Sequence, residues 1–195
     1  MVFEGSKEQV SREQTLVYKL AKKHHGIKAD EANGRRGYFL TYMIAYLRDF
    51  GMSFGYVGES FETSVPWTNT LMLCNKTKNR IRRECKKRGI KEDPLVSCRV
   101  TQTYDAGSCV YFYFGFKGAT FKDPCHVFAE IENAARETIL KCGGSVSHHH
   151  GIGKHRSQFM EQTVSPVGIQ MLKGLKKTLD PKNIFANGNL LPTHE

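Results

Sequence analysis

Three adjacent histidines, His148, His149 and His150, are the residues of this sequence best suited to proton chemistry. Imidazole is the side chain that most readily takes up or releases a proton near neutral pH. The triplet lies in the segment 143–153, called the histidine loop below, which has glycines at both ends. Glycine lets the backbone turn sharply and approach a ligand closely. This pattern favours acid–base or phosphate-binding work in a cleft over a polar surface loop.

Zinc binding is the rival chemistry for the histidine loop, with His155 as a further ligand. Zinc sites usually combine mixed ligands at defined separations. No cysteine or carboxylate lies at such a spacing from the triplet in the sequence. We therefore predict no metal among the site residues.

Two tyrosines on one predicted strand are the next candidates. Side chains alternate along a strand, so Tyr111 and Tyr113 share one face. The opposite face is apolar and is expected to meet helices, which leaves the tyrosine face for a ligand or another domain. Ordinary half-exposed strand tyrosines are the alternative. The apolar face consists of Val110, Phe112, Phe114 and Phe116.

Arg48, near the end of an otherwise apolar helix pattern, is a candidate anion site. Asp49 is adjacent in sequence but not on the same helix face, so we expect it to be a poor partner. A partly buried guanidinium needs an anion, and phosphate matches its fork of donors. The alternative is an arginine that stabilises the negative end of the helix dipole.

The elements that must position these residues follow from hydrophobic periodicity and end signals. Helices are predicted over residues 6–24, 38–49, 66–89, 124–143 and 166–179. The second should be buried because it is apolar almost all round, and the third has an apolar stripe that includes Trp67, Leu71 and Ile81. Strands are predicted over 53–64, 96–103 and 109–116, the last two as an antiparallel hairpin. The fold class is α+β, with an antiparallel sheet covered by helices on one face.

Composition indicates which chemical classes of partner the protein can bind. The net charge of +10 favours an anionic partner, such as phosphate, nucleic acid or acidic lipid, with solubility alone as the alternative. The basic run on the third helix fits a solvated face, and no nucleic-acid-binding motif accompanies it, so we predict no nucleic-acid partner. The six cysteines form no C-x-x-C pair, which is typical of reduced thiols. Neither a Walker A motif nor G-x-G-x-x-G is present.

Five segments resemble the alkyldihydroxyacetonephosphate synthase family, within the vanillyl-alcohol-oxidase-type flavoproteins. They are residues 36–49, 58–64, 98–107, 147–154 and 180–185. The 2-hydroxy-acid dehydrogenases of the wider group share the H-G-I-G end of the histidine loop. They usually carry Gly-Glu-His where this chain has His-His-His, and that difference separates the two interpretations.

The resemblance implies an FAD-dependent enzyme of ether-lipid biosynthesis in the peroxisome. Such an enzyme exchanges the acyl chain of acyl-dihydroxyacetone phosphate for a fatty alcohol through a flavin adduct, without net redox. The implied fold is the C-terminal cap domain of FAD-linked oxidases, with ferredoxin-like elements. Besides the substrates, the implied partners are the protein's own FAD-binding domain, a second copy in a homodimer and the peroxisomal membrane surface.

The resemblance also assigns roles to residues. By position, Tyr111 matches the catalytic acid/base tyrosine, Arg48 the substrate-phosphate arginine, and His148, His149 and His150 the active-site histidines. The family's FAD-binding domain precedes this region, so residues 1–195 are expected to be a C-terminal substrate domain that alone binds FAD weakly and is inactive. A tail that the family needs for activity matches Asn187, Gly188, Asn189, Leu190 and Leu191.

Two other functions remain as alternatives at this point. One is an FAD-dependent 2-hydroxy-acid dehydrogenase, against which the His-His-His triplet and Arg48 argue. The other is a basic module that binds lipid membranes or nucleic acid.

Overall fold

The structure is a computed structural model that describes residues 1–191 and divides into two compact units, with the boundary between Phe50 and Gly51. Within the described residues, no helix is both long and apolar enough to cross a bilayer. The first unit contains α1 (Lys7–Lys23) and most of α2 (Glu31–Ser53). The second contains β1 (Tyr56–Pro66), α3 (Trp67–Lys87), β2 (Leu95–Thr103), β3 (Gly107–Lys117), α4 (Pro124–Lys141), a 3-10 turn (Ser157–Phe159) and α5 (Met160–Leu179).

The first unit confirms one helix start and corrects another. Ser6 caps α1, as predicted, by accepting a hydrogen bond from the backbone N–H of Gln9 at 3.2 Å. The second helix starts at Glu31 because the Asp30 carboxylate accepts the N–H of Asn33 at 3.0 Å and supplies an earlier N-cap.

The prediction that the second helix is buried is wrong for this chain. Neither α1 nor α2 buries a residue, so the first unit forms no core that covers the apolar side chains of α2. Phe39 and Tyr42 are 70% and 75% exposed.

The second unit is built on a three-stranded antiparallel sheet in the order β1-β3-β2. The predicted hairpin of β2 and β3 is confirmed. The first strand starts at Tyr56, later than predicted, because α2 continues to Ser53. The sequence of elements from β1 to α4 is βαββα, as in ferredoxin-like folds, and the predicted α+β class is confirmed.

Helices α3 and α4 pack on one face of the sheet and enclose the core. The rings of Phe114 on β3 and Phe128 on α4 stack with centroids 4.0 Å apart. The predicted apolar face of β3 is buried throughout, from Val110 to Phe116 at every second residue.

The stripe predicted for α3 is wrong at its start. Leu71 is 74% exposed and Trp67 is 45% exposed. Leu73 is buried instead, because it lies on the same helix face as Thr77 and Ile81, four residues apart in each step.

The last helix begins before the predicted residue but is broken there. Helical structure runs from Met160, and Ser165 interrupts it with φ 67° and ψ 164°. The Ser165 hydroxyl accepts the N–H of Gly168 at 3.4 Å. The segment after the break therefore starts where the Ser-Pro signal predicts.

We expect Phe114→Ala to lower the free energy of unfolding by about 3–5 kcal/mol, because it removes a stacked ring from a buried core. Urea unfolding at neutral pH measures the change. Leu95→Ala on β2 is the control, since Leu95 is 70% exposed, and it should change stability by less than about 0.5 kcal/mol. Equal losses in both variants would contradict this account of the core.

Candidate active site

Three charged or polar side chains lie in one row across the open face of the sheet, opposite α3 and α4. Tyr111 on the central strand β3 pairs in register with Glu62 on β1 and with Arg99 on β2. Tyr111 therefore lies between a carboxylate on one neighbouring strand and a guanidinium on the other.

The histidine loop is attached to β1 before it reaches the histidines. The Ser145 hydroxyl accepts the backbone N–H of Ser64 at 2.9 Å, and the Thr63 hydroxyl donates to the Ser145 carbonyl at 2.7 Å. A Cβ on Gly144 would lie 2.7 Å from Ile139 and 2.9 Å from the Thr63 hydroxyl. A side chain at this position would force those neighbours to shift, so glycine lets the loop pack closely here.

A single buried carboxylate binds the loop at the histidines. Glu62 is 0% exposed. It accepts the Ser147 hydroxyl at 2.6 Å and the backbone N–H groups of His148, His149 and His150 at 2.6, 3.3 and 2.9 Å. Burial would raise the pKa of this carboxyl, but these donors outweigh burial and lower it to about 2. Glu62 is therefore ionised across the neutral range.

Two arginines bind the carbonyl groups on either side of the histidines. Arg136 on α4 is 1% exposed and donates to the Val146 carbonyl. Arg156 donates to the Gly151 carbonyl. Glu132 holds Arg136 with two hydrogen bonds at 2.7 and 2.9 Å and lies 3.8 Å from Arg156. The loop is thus fixed through its N–H groups by an anion and through its carbonyls by cations.

The fixed loop places its imidazoles in a continuous chain of hydrogen bonds. Tyr104 Oη lies 2.9 Å from His148 Nε2, and His148 Nδ1 lies 2.8 Å from His149 Nδ1. Tyr111 Oη then lies 2.6 Å from His149 Nε2 and 2.8 Å from His150 Nε2. Tyr104, at the outer end, is 47% exposed, so the chain joins Tyr111 to the surface.

The contacts of His150 give the hydrogen-bond chain a preferred direction. His150 Nδ1 faces the Glu62 carboxylate at 3.8 Å, which favours a proton on Nδ1 and leaves Nε2 to accept from Tyr111. Tyr111 then accepts from His149 Nε2–H, and His149 Nδ1 accepts from His148 Nδ1–H. Tyr104 donates to His148 Nε2 at the outer end. One orientation therefore satisfies every link, as an assignment from the network.

Local electrostatics separate the proton affinities of the two groups at the inner end. Burial raises the pKa of Tyr111, and the charge of Glu62 raises it further, while Arg99 acts in the opposite direction. Burial lowers the pKa of His150, and Glu62 partly offsets that effect. Near neutral pH, Tyr111 keeps its proton and His150 is neutral, so the pair combines an acid with an acceptor.

The family follows from a comparison with known proteins. The profile of the FAD linked oxidases, C-terminal domain, matches residues 1–190. This chain belongs to that family.

Among its relatives, this FAD-linked oxidase domain is 52% identical over 190 residues to alkyldihydroxyacetonephosphate synthase from Caenorhabditis elegans, covering 97% of this chain and 32% of the relative. It is 24% identical over 196 residues to mitochondrial D-lactate dehydrogenase [cytochrome] from Arabidopsis thaliana, covering 96% and 32%. A solved structure of alkyldihydroxyacetonephosphate synthase has the same fold, with a TM-score of 0.61 at 24% identity over 99% of this chain and 31% of that one. The chain therefore spans about a third of the length of these relatives.

The spacing argument against a metal in this FAD-linked oxidase domain was wrong, because the fold brings together ligand types that are distant in sequence. Ligand atoms of Glu62, Cys109, His148 and His149 lie within 4.8 Å of one another. Hydrogen bonds from the loop already use both oxygens of Glu62. The absence of a metal stays a prediction.

Arg48 lies in the first unit, on α2. Its side chain is 46% exposed, and Nε lies 3.6 Å from the carboxylate of Asp49. Asp49 contacts Arg48 through this exposed ion pair, which is of the kind that contributes little to stability. The role of Arg48 as a phosphate ligand stays a prediction.

The predicted tail contacts the far end of the histidine loop. The backbone N–H of Leu190 donates to the Gly153 carbonyl at 3.0 Å. Asp180 organises the approach by accepting the N–H groups of Ile184 and Phe185 at 3.0 and 2.9 Å. Leu190 therefore supports the loop through its backbone, and the role of residues 187–191 in activity stays a prediction.

Sequence reasoning missed several residues of the site, and Glu62 and Tyr104 are the two that contact the histidines through side chains. Glu62 occupies an ordinary alternating position of β1, and only the register with Tyr111 identifies it. Tyr104 belongs to the predicted hairpin turn, where Trp67 fixes it by donating its indole N–H to the Tyr104 carbonyl at 2.8 Å. Both contacts join segments that are far apart in the chain.

We expect Gly144→Ala to lower the free energy of unfolding by about 1–3 kcal/mol, because the added Cβ overlaps three packed side chains. Gly174→Ala on α5 is the control. A Cβ there meets nothing within 4 Å, so the same change should stabilise the helix by about 0.5–1 kcal/mol. Thermal unfolding of the two variants tests the difference in sign, and a stable Gly144→Ala protein would contradict the close approach.

Proposed function

We propose that this chain is the C-terminal substrate domain of a peroxisomal, FAD-dependent enzyme of ether-lipid synthesis. The enzyme exchanges the acyl chain of acyl-dihydroxyacetone phosphate for a fatty alcohol. The observation that carries the proposal is the contact of two loop imidazoles with the Tyr111 hydroxyl. The 52% identity to a named alkyldihydroxyacetonephosphate synthase supports the choice of reaction.

The exchange requires a proton to leave a carbon beside a carbonyl group and to return after the chains have exchanged. Tyr111 takes that proton as it passes its own to His150 Nε2, which is neutral and 2.8 Å away. The reverse transfer returns the proton. His149, His148 and Tyr104 connect Tyr111 to the surface and keep its hydroxyl oriented.

The part of this sheet face that the histidine loop leaves exposed, around Tyr113 and Arg99, is the side that this proposal assigns to a planar aromatic cofactor. Tyr111 and Tyr113 are half-buried there, with ring centroids 5.9 Å apart and an interplanar angle of 26°. The Arg99 guanidinium lies over Tyr113 at 5.5 Å. FAD would supply a nucleophilic ring for the substrate carbon, and in the full-length protein an N-terminal domain would make most of its contacts.

The remaining assignments belong to the same proposal. Arg48 binds the substrate phosphate, and residues 187–191 hold the histidine loop from its far end. In the full-length protein, the partners of this domain are the FAD-binding domain, a second copy and the peroxisomal membrane surface.

A second candidate function is the oxidation of a 2-hydroxy acid, which the similarity to the Arabidopsis D-lactate dehydrogenase favours. The two functions differ in whether the substrate is oxidised. Exchange leaves an added electron acceptor unchanged, whereas oxidation of a 2-hydroxy acid reduces it. One preparation of the full-length protein tests both.

We expect Tyr111→Phe in the full-length protein to lower the rate of alkyl exchange at least about 100-fold, because the hydroxyl that carries the proton is lost. Tyr113→Phe is the matched control, since it removes a hydroxyl from the same face of the same strand. The assay follows incorporation of labelled fatty alcohol in the presence of FAD, and the control should keep nearly all of its activity.

Two results would change the assignment. No exchange by the wild-type protein, together with reduction of an acceptor by 2-hydroxy acids, would replace the synthase by a dehydrogenase. Exchange that survives in Tyr111→Phe would keep the reaction and move the role of base to His148, His149 or His150.

A further inference from the structure

Glu62 is a buried anion with an unusual set of partners. It lies between Phe61 and Thr63 in a run of three residues that are each 0% exposed. In an alternating strand, such a run requires cover on both faces. Helices cover one face, and the histidine loop covers the face that Glu62 occupies.

The donors to Glu62 come from four consecutive residues of the loop. One is the Ser147 hydroxyl, and the other three are the backbone N–H groups of residues 148–150. Successive N–H groups that point at one anion form a concave anion site. Here the anion is a side chain of the protein's own sheet. Ser147 also accepts the N–H of Gly151 at 3.0 Å, which closes the loop around the carboxylate.

This arrangement determines where the imidazoles point. With three consecutive N–H groups fixed on Glu62, the side chains of His149 and His150 project to Tyr111, which is the register partner of Glu62 on β3. We propose that Glu62 is the positioning residue of this site, whose carboxylate holds His148, His149 and His150 in hydrogen-bonding reach of Tyr111. The effect on catalysis rests on the proposed function, whereas the effect on the loop does not.

The charge of Glu62 adds a second, separable effect. Around Tyr111, burial, Glu62, Tyr113 and Cys109 raise its pKa, and Arg99 lowers it. Around His150, burial lowers its pKa, as do His149, Arg156 and Arg136, and Glu62 raises it. Loss of the negative charge therefore lowers the pKa of both groups, and both limbs of a pH–rate profile move to lower pH.

Three variants of the full-length protein separate position from charge. Glu62→Gln keeps the shape, removes the charge and replaces one acceptor oxygen by a donor. Glu62→Asp keeps the charge and withdraws the carboxylate by one methylene. Glu59→Gln is the matched control, because it makes the same change at an exposed position of the same strand.

Hydrogen exchange read by mass spectrometry measures the loop directly. In Glu62→Gln, amides in the peptide that spans residues 145–151 should exchange at least about tenfold faster than in the wild type. Those of Glu59→Gln should not change. Protection of β1 and β3 is read in the same experiment and shows whether the variant is folded. If Glu62→Gln is unfolded, Glu62→Asp replaces it and should show the same faster exchange.

Kinetics then test the consequence for catalysis. We expect Glu62→Gln to lower kcat/KM for alkyl exchange at least about tenfold and to move both limbs of its pH profile to lower pH. Glu62→Asp should lose rate but keep the pH profile of the wild type, since the charge is retained.

The outcomes are distinguishable. Unchanged loop protection in a folded Glu62→Gln protein overturns the proposal whatever the activity. Faster loop exchange with unchanged kcat/KM and pH profile overturns the catalytic effect. Faster loop exchange in a protein whose wild type shows no alkyl exchange supports the positioning role and overturns the proposed function instead.

Discussion

Everything in the site depends on the Glu62 carboxylate, which is removed from water and has no cationic side chain in hydrogen-bonding contact among residues 1–191. An ion in this position is costly unless donors replace its hydration. The histidine loop supplies four of them within four residues. The cost of burial and the order of the loop are therefore linked, because the donors that replace the hydration of Glu62 are the same groups that attach the loop to β1. The low pKa of Glu62 expresses the same fact.

The two faces of β3 separate stability from chemistry. One face supplies the phenylalanines that stack against α4 and the neighbouring strand. The other face carries Tyr111 between a carboxylate and a guanidinium. Since strand alternation fixes which residues share a face, the packing that orders the core also fixes the Tyr111 hydroxyl in the row. Arg136 links the two layers, because its guanidinium lies over Phe61 at 5.1 Å and also binds the loop at Val146.

The sequence was informative wherever the determining interactions are local. Alternation in β3, the caps of α1 and α4 and the break at Ser165 were predictable from neighbouring residues. Burial of α2 was not, because an apolar pattern predicts burial without showing what covers it. The roles of Glu62 and Tyr104 in the site were not predictable either. The pairing of β1 with β3 and the path of the loop join residues that are more than 40 positions apart.

The hydrogen-bond chain gives a physical reason for three consecutive histidines at positions 148–150. In the Gly-Glu-His loop usual in 2-hydroxy-acid dehydrogenases, glycine would take the place of His148 and remove the link to Tyr104. A carboxylate would take the place of His149 and bring a second anion towards Glu62, where like charges raise the cost of ionisation. His-His-His instead gives a continuous chain of hydrogen bonds from Tyr104 to His150. Under the proposed function, such a chain takes up the substrate proton at Tyr111 and returns it, as an exchange without net redox requires.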